Sequence, residues 1–243
     1  MGHEPCPRCG SSDNLGRYLD GSGYCFGCGY REQPTKLAFH HISKSKAIDK
    51  SSRTNSILTL PQDISVEISI EGLKWLAKYN ISSKEIADYG IRWSDSGGGI
   101  VFTCFDSSGV CVGYQIRHFR NKERKYTTRG KAVQMSMSML RNRDVSLPLV
   151  FVEDVLSAIK VSRIAPCVPL LGSNIPLELL RWGSESFKSF KIWLDPDKRQ
   201  STVKQVLNAR QKGFECSAVF AGGDPKDLTT EEIKEKLSLD RKD

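Results

Sequence analysis

The chain has 243 residues and a mass of 27.2 kDa, enough for two compact units and a small additional one. Thirty-six Lys and Arg against 28 Asp and Glu leave a charge of +8, which suits a polyanionic partner such as nucleic acid but is also the balance of an ordinary basic protein. With 39% hydrophobic and 26% charged residues the chain as a whole is not disordered, and no run of 18 uncharged apolar residues is available to span a membrane.

The opening residues, Met1-Gly-His-Glu-Pro-Cys6, lack the basic start and apolar stretch of a secretory signal, so a reducing cytoplasm is expected. Four of the eight cysteines fall in the first 28 residues. Cys6-Pro-Arg-Cys9 and Cys25-Phe-Gly-Cys28, fifteen residues apart, have the spacing of a zinc ribbon over residues 1–33. Two knuckles of this kind present four thiolates to one structural Zn²⁺, and a unit of about thirty residues with no core of its own needs the metal to fold. Arg8, Asp20, Tyr24 and Tyr30 are candidates for exposed contacts, the aromatics by stacking on unpaired bases. Phe26 is read as a cover over the metal. The remaining cysteines, Cys104, Cys111, Cys167 and Cys216, sit singly in apolar surroundings and are expected to fill the core.

Residues 34–56 carry Lys36, Lys44, Lys46, Lys50 and Arg53 among many serines with almost no apolar periodicity, and read as a flexible basic linker. A basic subdomain over 57–147 follows. Two short helices are predicted between Ile70 and Tyr89, the second opened by the capping box Ser82-Ser-Lys-Glu85 and closed by Gly90. Ile100 to Phe105 and Val110 to Arg117 form a predicted hairpin around Asp106-Ser-Ser-Gly109. Residues 116–131 then hold seven Lys or Arg against one Glu, either a solvated loop or a grip on phosphates, with Arg117, Lys122, Arg124 and Lys125 the residues favoured for nucleotide or template binding. None of the four histidines has a partner that the sequence identifies.

From residue 148 to 243 apolar strands alternate with amphipathic helices: strands at Leu149 to Glu153, Cys167 to Leu171, Lys191 to Leu194 and Cys216 to Phe220, helices at Val155 to Arg163, Ile175 to Trp182 and Thr202 to Lys212. Continuous apolar strands separated by helices imply a parallel sheet covered on both faces. Ligands gather at the carboxyl ends of such strands. Glu153 ends one strand, Asp195-Pro-Asp197 ends another, and Asp224 and Asp227 follow a third. Carboxylates converging there repel one another unless a cation sits among them, and an all-oxygen set suits Mg²⁺ or Mn²⁺. For Asp154 and Asp224 a helix cap or turn role is the alternative. No G-x-x-x-x-G-K-[ST] occurs, so a P-loop motor is expected on another chain.

The order strand-Glu153, Leu171-Gly-Ser-Asn174, strand-Asp195-Pro-Asp197 resembles a Toprim domain, and ribbon, basic middle and Toprim in succession resemble the priming half of the phage primase-helicases over nearly the whole chain. The resemblance implies an α/β fold, a Toprim-like parallel sheet flanked by helices, with an α+β N-terminal subdomain and a zinc ribbon. It implies a DNA primase that binds single-stranded DNA template and ribonucleoside triphosphates and works beside a separate helicase and DNA polymerase. Glu153, Asp195 and Asp197 would hold catalytic metal, Asp227 would be a further acid, and Asp20, Ser22 and Tyr24 would read template. Ser157 stands where the family often has a second acid, and Ser22 where it has a histidine. A recombination mediator that only binds DNA, and a Toprim nuclease using the same metals, are the rival readings; a topoisomerase needs a longer chain.

Overall fold

A computed structural model describes residues 2–17, 22–32, 58–121 and 123–237. The expected linker over 34–56 lies outside them. The chain forms two compact units, Met1–Ile57 and Leu58–Asp243.

The first unit holds an antiparallel sheet of β1 Gly2–Glu4, β2 Leu15–Arg17, β3 Gly23–Cys25 and β4 Arg31–Glu32, in that order. Each Cys-x-x-Cys pair is followed by a glycine that closes a tight turn: Gly10 donates its amide to the Cys6 carbonyl at 2.9 Å and Gly29 to the Cys25 carbonyl at 3.0 Å. Their φ values, +69° and +70°, are left-handed, which glycine adopts without a Cβ clash. Apolar burial is slight, with Cys6, Leu15 and Cys25 inside and Cys28 and Tyr30 against them. That cluster is too small to hold thirty residues together unaided.

The second unit carries two sheets. An antiparallel sheet runs in sequence order through β5 Ile64–Ser65, β6 Ile91–Ser94, β7 Gly99–Phe105, β8 Cys111–His118 and β9 Tyr126–Gly130. Helices α1 Ile70–Lys78, α2 Ser83–Asp88 and α3 Ala132–Ser138 accompany it. The capping box at Ser82 and Glu85 forms in full. The other sheet is wholly parallel: β10 Leu149–Val152, β11 Cys167–Pro169, β12 Phe190–Trp193 and β13 Cys216–Ala218, in the order β11-β10-β12-β13. Helices α4 Val155–Ser162, α5 Leu177–Ser184, α6 Arg199–Gln211 and α7 Thr230–Leu237 complete it.

Alternation along β10 explains both layers. Leu149 and Phe151 enter one core beside Leu179, Leu180 and Val206 from α5 and α6, while Val150 and Val152 enter another beside Ile233 and Leu237 from α7. Helix α4 is buried along most of its length because it serves two cores: Ala158 and Val161 face the parallel sheet, and Val155, Leu156 and Ile159 join Ile91, Ile100 and Phe102 of the antiparallel sheet. Cys104, Cys167 and Cys216 are buried as expected and Cys111 is partly so.

Candidate active site

Adjacent parallel strands deliver their carboxyl ends to one place. Val152 of β10 pairs with Trp193 of β12, so Glu153 and Asp195, just beyond, become neighbours. The Asp195 amide donates to Glu153 Oε1 at 3.2 Å. Burial first, then the charges of Glu153 and Asp224, push the Asp195 carboxyl up to about 6. Burial also raises Glu153 above the ordinary carboxylate value. Two half-buried carboxyls that resist ionising side by side form an all-oxygen donor set that a hard divalent cation would satisfy.

Asp197 sits apart from them. It lies in the 3₁₀ turn Pro196–Lys198, largely exposed, and pairs with Lys198 at 2.8 Å, which holds its carboxyl below the usual range. Asp227 is exposed at the end of the turn Pro225–Asp227, and its charge acts on Lys160. From that segment, Asp224 just before the turn and Lys226 within it act on Asp195 by charge, in opposite directions. Asp154 caps α4, accepting from the Ser157 amide and hydroxyl, both at 3.0 Å.

The acids open into a cleft of ≈ 370 Å³ whose opposite wall comes from the antiparallel sheet. Glu153, Asp154, Asp195 and Lys226 face Arg117, Lys125, Tyr126, Gln115 and Thr128, with Trp75 and Tyr79 from α1 at the side. Leu171, near the start of the loop after β11, lines it with a left-handed φ of +55°, an uncommon conformation for a bulky residue. The Arg117 guanidinium lies 5.3 to 5.7 Å from the rings of Tyr126, Phe119 and Trp75. Its Nη1 donates to the His118 carbonyl at 2.6 Å, while its Nε is buried without a partner among the described residues. Lys125 also lines the cleft. Arg124 is exposed in the turn that Asn121 caps, and Lys122 lies outside the described residues. His118 bridges the Gly97 carbonyl at 2.7 Å and the Thr127 hydroxyl at 2.8 Å.

Trp75, Tyr79, Gln115, Tyr126 and Lys226 were not singled out by sequence. Trp75 and Tyr79 stand four apart on a helix, hence on one face, and Tyr126 interrupts a basic run; both were signals available to be read.

In the ribbon the four cysteine sulfurs lie within 4.8 Å of one another, the one cluster of this kind among the described residues. Cys6 to Cys28 and Cys9 to Cys25 are each 3.7 Å. A tetrahedral site with Zn–S of about 2.3 Å has edges of about 3.8 Å, so the four thiolates fit one Zn²⁺. Phe26 does not cover this site: it is 60% exposed, and the buried neighbours are Leu15 and the partly buried Tyr30. The reason is its place in the knuckle after Cys25, where its ring stands edge-on to Tyr24 at 5.1 Å. The Arg31 guanidinium lies over the Tyr24 ring, 5.4 Å from its centroid. Ser22, just before β3, is half-buried, and Asp20 lies outside the described residues.

No family model matches the chain. In sequence it is similar to a DNA helicase/primase of Enterobacteria phage T3, 27% identical over 178 residues that cover 68% of this chain and 28% of the relative. The chain thus spans little more than a quarter of that relative's length. Among solved structures it is similar to the primase fragment of the bacteriophage T7 primase-helicase protein, with a TM-score of 0.53, 19% identity and 98% of each chain covered. The chain has the fold of the DNA primases. A primase of Aquifex aeolicus comprising zinc-binding and RNA polymerase domains matches 97% of this chain and 78% of its own, with a TM-score of 0.52 and 16% identity. The catalytic domain of the DnaG primase in complex with single-stranded DNA matches 70% of this chain and 71% of its own, with a TM-score of 0.54 and 16% identity. No helix among the described residues is long and apolar enough to cross a membrane.

Proposed function

We propose that the protein is a DNA primase that makes short RNA primers on single-stranded DNA for replication. The observation that carries this reading is the juxtaposition of Glu153 and Asp195 with Arg117 and Lys125 across one cleft of a primase fold. Glu153 and Asp195, with Asp197 swung in from its surface pair with Lys198, are the residues to hold Mg²⁺ or Mn²⁺. Bound there, divalent metal supplies the charge that lowers the pKa of a primer 3′-hydroxyl and stabilises the departing pyrophosphate. Asp227 is exposed and reaches this set only after movement of its turn.

The protein's own residues do the positioning. Arg117 and Lys125 face the acids and bind the triphosphate or template phosphates that the acids themselves repel. Arg124, on the turn that follows β8, extends the same basic edge, and Lys122, two residues earlier in the sequence, is a further candidate for the same phosphates. Trp75, Tyr79 and Tyr126 offer ring faces to a base or to the sugar edge of a nucleotide. The 3′-oxygen then attacks the α-phosphorus, a phosphodiester forms, the bond to the bridging oxygen breaks, and pyrophosphate leaves.

Cys6, Cys9, Cys25 and Cys28 hold one structural Zn²⁺, and Asp20, Ser22 and Tyr24 of the ribbon read the template. A separate helicase and DNA polymerase are the partners that such an enzyme serves, in the cytoplasm of the cell where the genome replicates. The test is incubation of the pure protein with single-stranded DNA, Mg²⁺ and labelled ribonucleotides. Short RNA that depends on template sequence is expected. Loss of the DNA itself would favour a Toprim nuclease, and binding without either reaction a recombination mediator.

A further inference from the structure

The acidic end of the parallel sheet holds a second, internally satisfied pair of carboxylates. Asp154 Oδ1 accepts from the Ser157 amide, and Oδ2 accepts from the Ser157 hydroxyl and from Lys226 Nζ, each at 3.0 Å. Lys226 Nζ also donates to Asp224 Oδ2. The lysine side chain is 18% exposed and its ammonium lies between carboxylates from two segments, the cap of α4 and the turn after β13. Glu153 and Asp195 differ sharply from this. Glu153 accepts one backbone hydrogen bond, and the Asp195 carboxylate accepts none among the described residues. Half of the site is thus filled and half is open.

We propose that the Lys226 ammonium is a resident cation of the catalytic cleft, held by Asp154 and Asp224 in place of one divalent ion, so that the cleft binds a single divalent ion at Glu153 and Asp195. The inference rests on the primase reading for the role of the cleft, and not for the charge arrangement itself. Ser157 completes the device. It is buried at 1% exposure and directs both oxygens of Asp154 toward the helix end and Lys226, where an acid at that position would add a third negative charge. A monovalent ammonium with three rotatable donors satisfies two carboxylates at hydrogen-bond distance without dehydrating a metal. Lys226 is consequently a positioning residue: it holds Asp154 and Asp224 and confines the open donor set to one pair.

Mn²⁺ binding to the zinc-loaded full chain, counted by electron paramagnetic resonance and calorimetry, tests this without any reaction being run. One Mn²⁺ per chain is expected for the unsubstituted protein and none for the double variant Glu153→Gln, Asp195→Asn. Lys226→Ala, which leaves Asp154 and Asp224 facing one another unpaired, should bind two, and its thermal midpoint should rise with Mn²⁺ more steeply than that of the unsubstituted protein. Lys226→Arg should bind one. Two ions on the unsubstituted protein, or one on a folded Lys226→Ala, would overturn the proposal. Should Lys226→Ala fail to fold, the count on the unsubstituted chain decides alone. Primer synthesis, assayed separately, reports on the primase reading, so the two can fail independently.

Discussion

Arg163 grips Glu85 with two parallel hydrogen bonds, Nε to Oε1 at 2.8 Å and Nη2 to Oε2 at 3.0 Å, and joins the far end of α4 to the start of α2. The same Nη2 donates to the Asn80 carbonyl at 2.7 Å. Glu85 is also the residue that closes the capping box on Ser82, accepting its amide at 2.8 Å. One carboxylate therefore ties the parallel-sheet layer to the helices of the antiparallel layer, behind the cleft rather than in it. A bidentate, partly buried pair of this geometry is worth more than a single-contact surface ion pair. Arg163→Ala should lower the stability of the second unit by about 1–2 kcal/mol, read from urea denaturation. It should leave the affinity for Mn²⁺ unchanged, and an altered Mn²⁺ affinity would place this pair in the site.

Glu153→Gln and Asp195→Asn test the open acids. Each removes a charge that burial and its neighbour already disfavour. Folding should survive, with a thermal midpoint equal to or above that of the unsubstituted protein, because repulsion between the two carboxyls is relieved. Primer synthesis should fall on the order of 100-fold or more, since several kcal/mol of charge stabilisation go with the metal. Variants that melt normally and still prime at near-normal rates would remove both residues from the mechanism.

How much of this site could be read from sequence depended on whether a residue is placed by its own strand or by contacts across the fold. Glu153 and Asp195 end apolar strands, and in a parallel sheet that alone brings them together. Lys226 carries no such marker, because its role depends on a 3₁₀ turn set against the cap of α4. Tyr126 to Gly130 belong to a segment read as basic loop or phosphate grip, yet they form β9, because Tyr126, Thr127 and Thr128 suit an edge strand paired with β8. Helix α7 had a legible start in Thr229 and Glu232, which bond each other's backbone amides at 2.7 and 3.2 Å, a signal as clear as the one at Ser82. Phe26 reads from the sequence as a cover over the metal, whereas its position within a tight knuckle turns it outward.

Asp63 fixes the turn between β6 and β7. Its carboxylate accepts from the Ser96 amide at 2.6 Å and from the Ser94 and Ser96 hydroxyls, both at 2.9 Å. The Ser96 amide is the main cause of a carboxyl held down to about 2. A depressed folded-state value stabilises the fold above the ordinary carboxylate value near 4, and the contribution is lost as pH falls from there toward 2. Asp63→Asn should therefore lower the urea midpoint at pH 7 and flatten its fall between about pH 4 and pH 2. Parallel pH curves for the two proteins would show that Asp63 contributes nothing through its charge.

The last prediction concerns how the ribbon reads template. Half-buried Tyr24 on β3, the exposed Phe26 that follows it and the exposed Arg31 on β4 form an aromatic and basic surface in which Phe26 does not cover the cysteine cluster. Stacking of an unpaired base on such a ring is worth about 1–3 kcal/mol, so Tyr24→Ala or Phe26→Ala should weaken template-directed initiation by about 10- to 100-fold. Extension of a supplied primer, which needs only the cleft of the second unit, should be spared. Ser22 precedes Tyr24 by two residues, so a short hydroxyl stands where a histidine would offer a ring. Ser22→His should then change which template triplet starts a primer without changing the rate of extension. Removal of metal by a chelator should release one Zn²⁺ per chain and abolish the start-site preference altogether, while the melting transition of the second unit stays where it was. If start sites mapped on a random template pool are the same for the unsubstituted, Tyr24→Ala and Ser22→His proteins, the ribbon contributes a fold and no reading, and the choice of start site has to be sought in the basic wall of the cleft around Arg117 and Lys125.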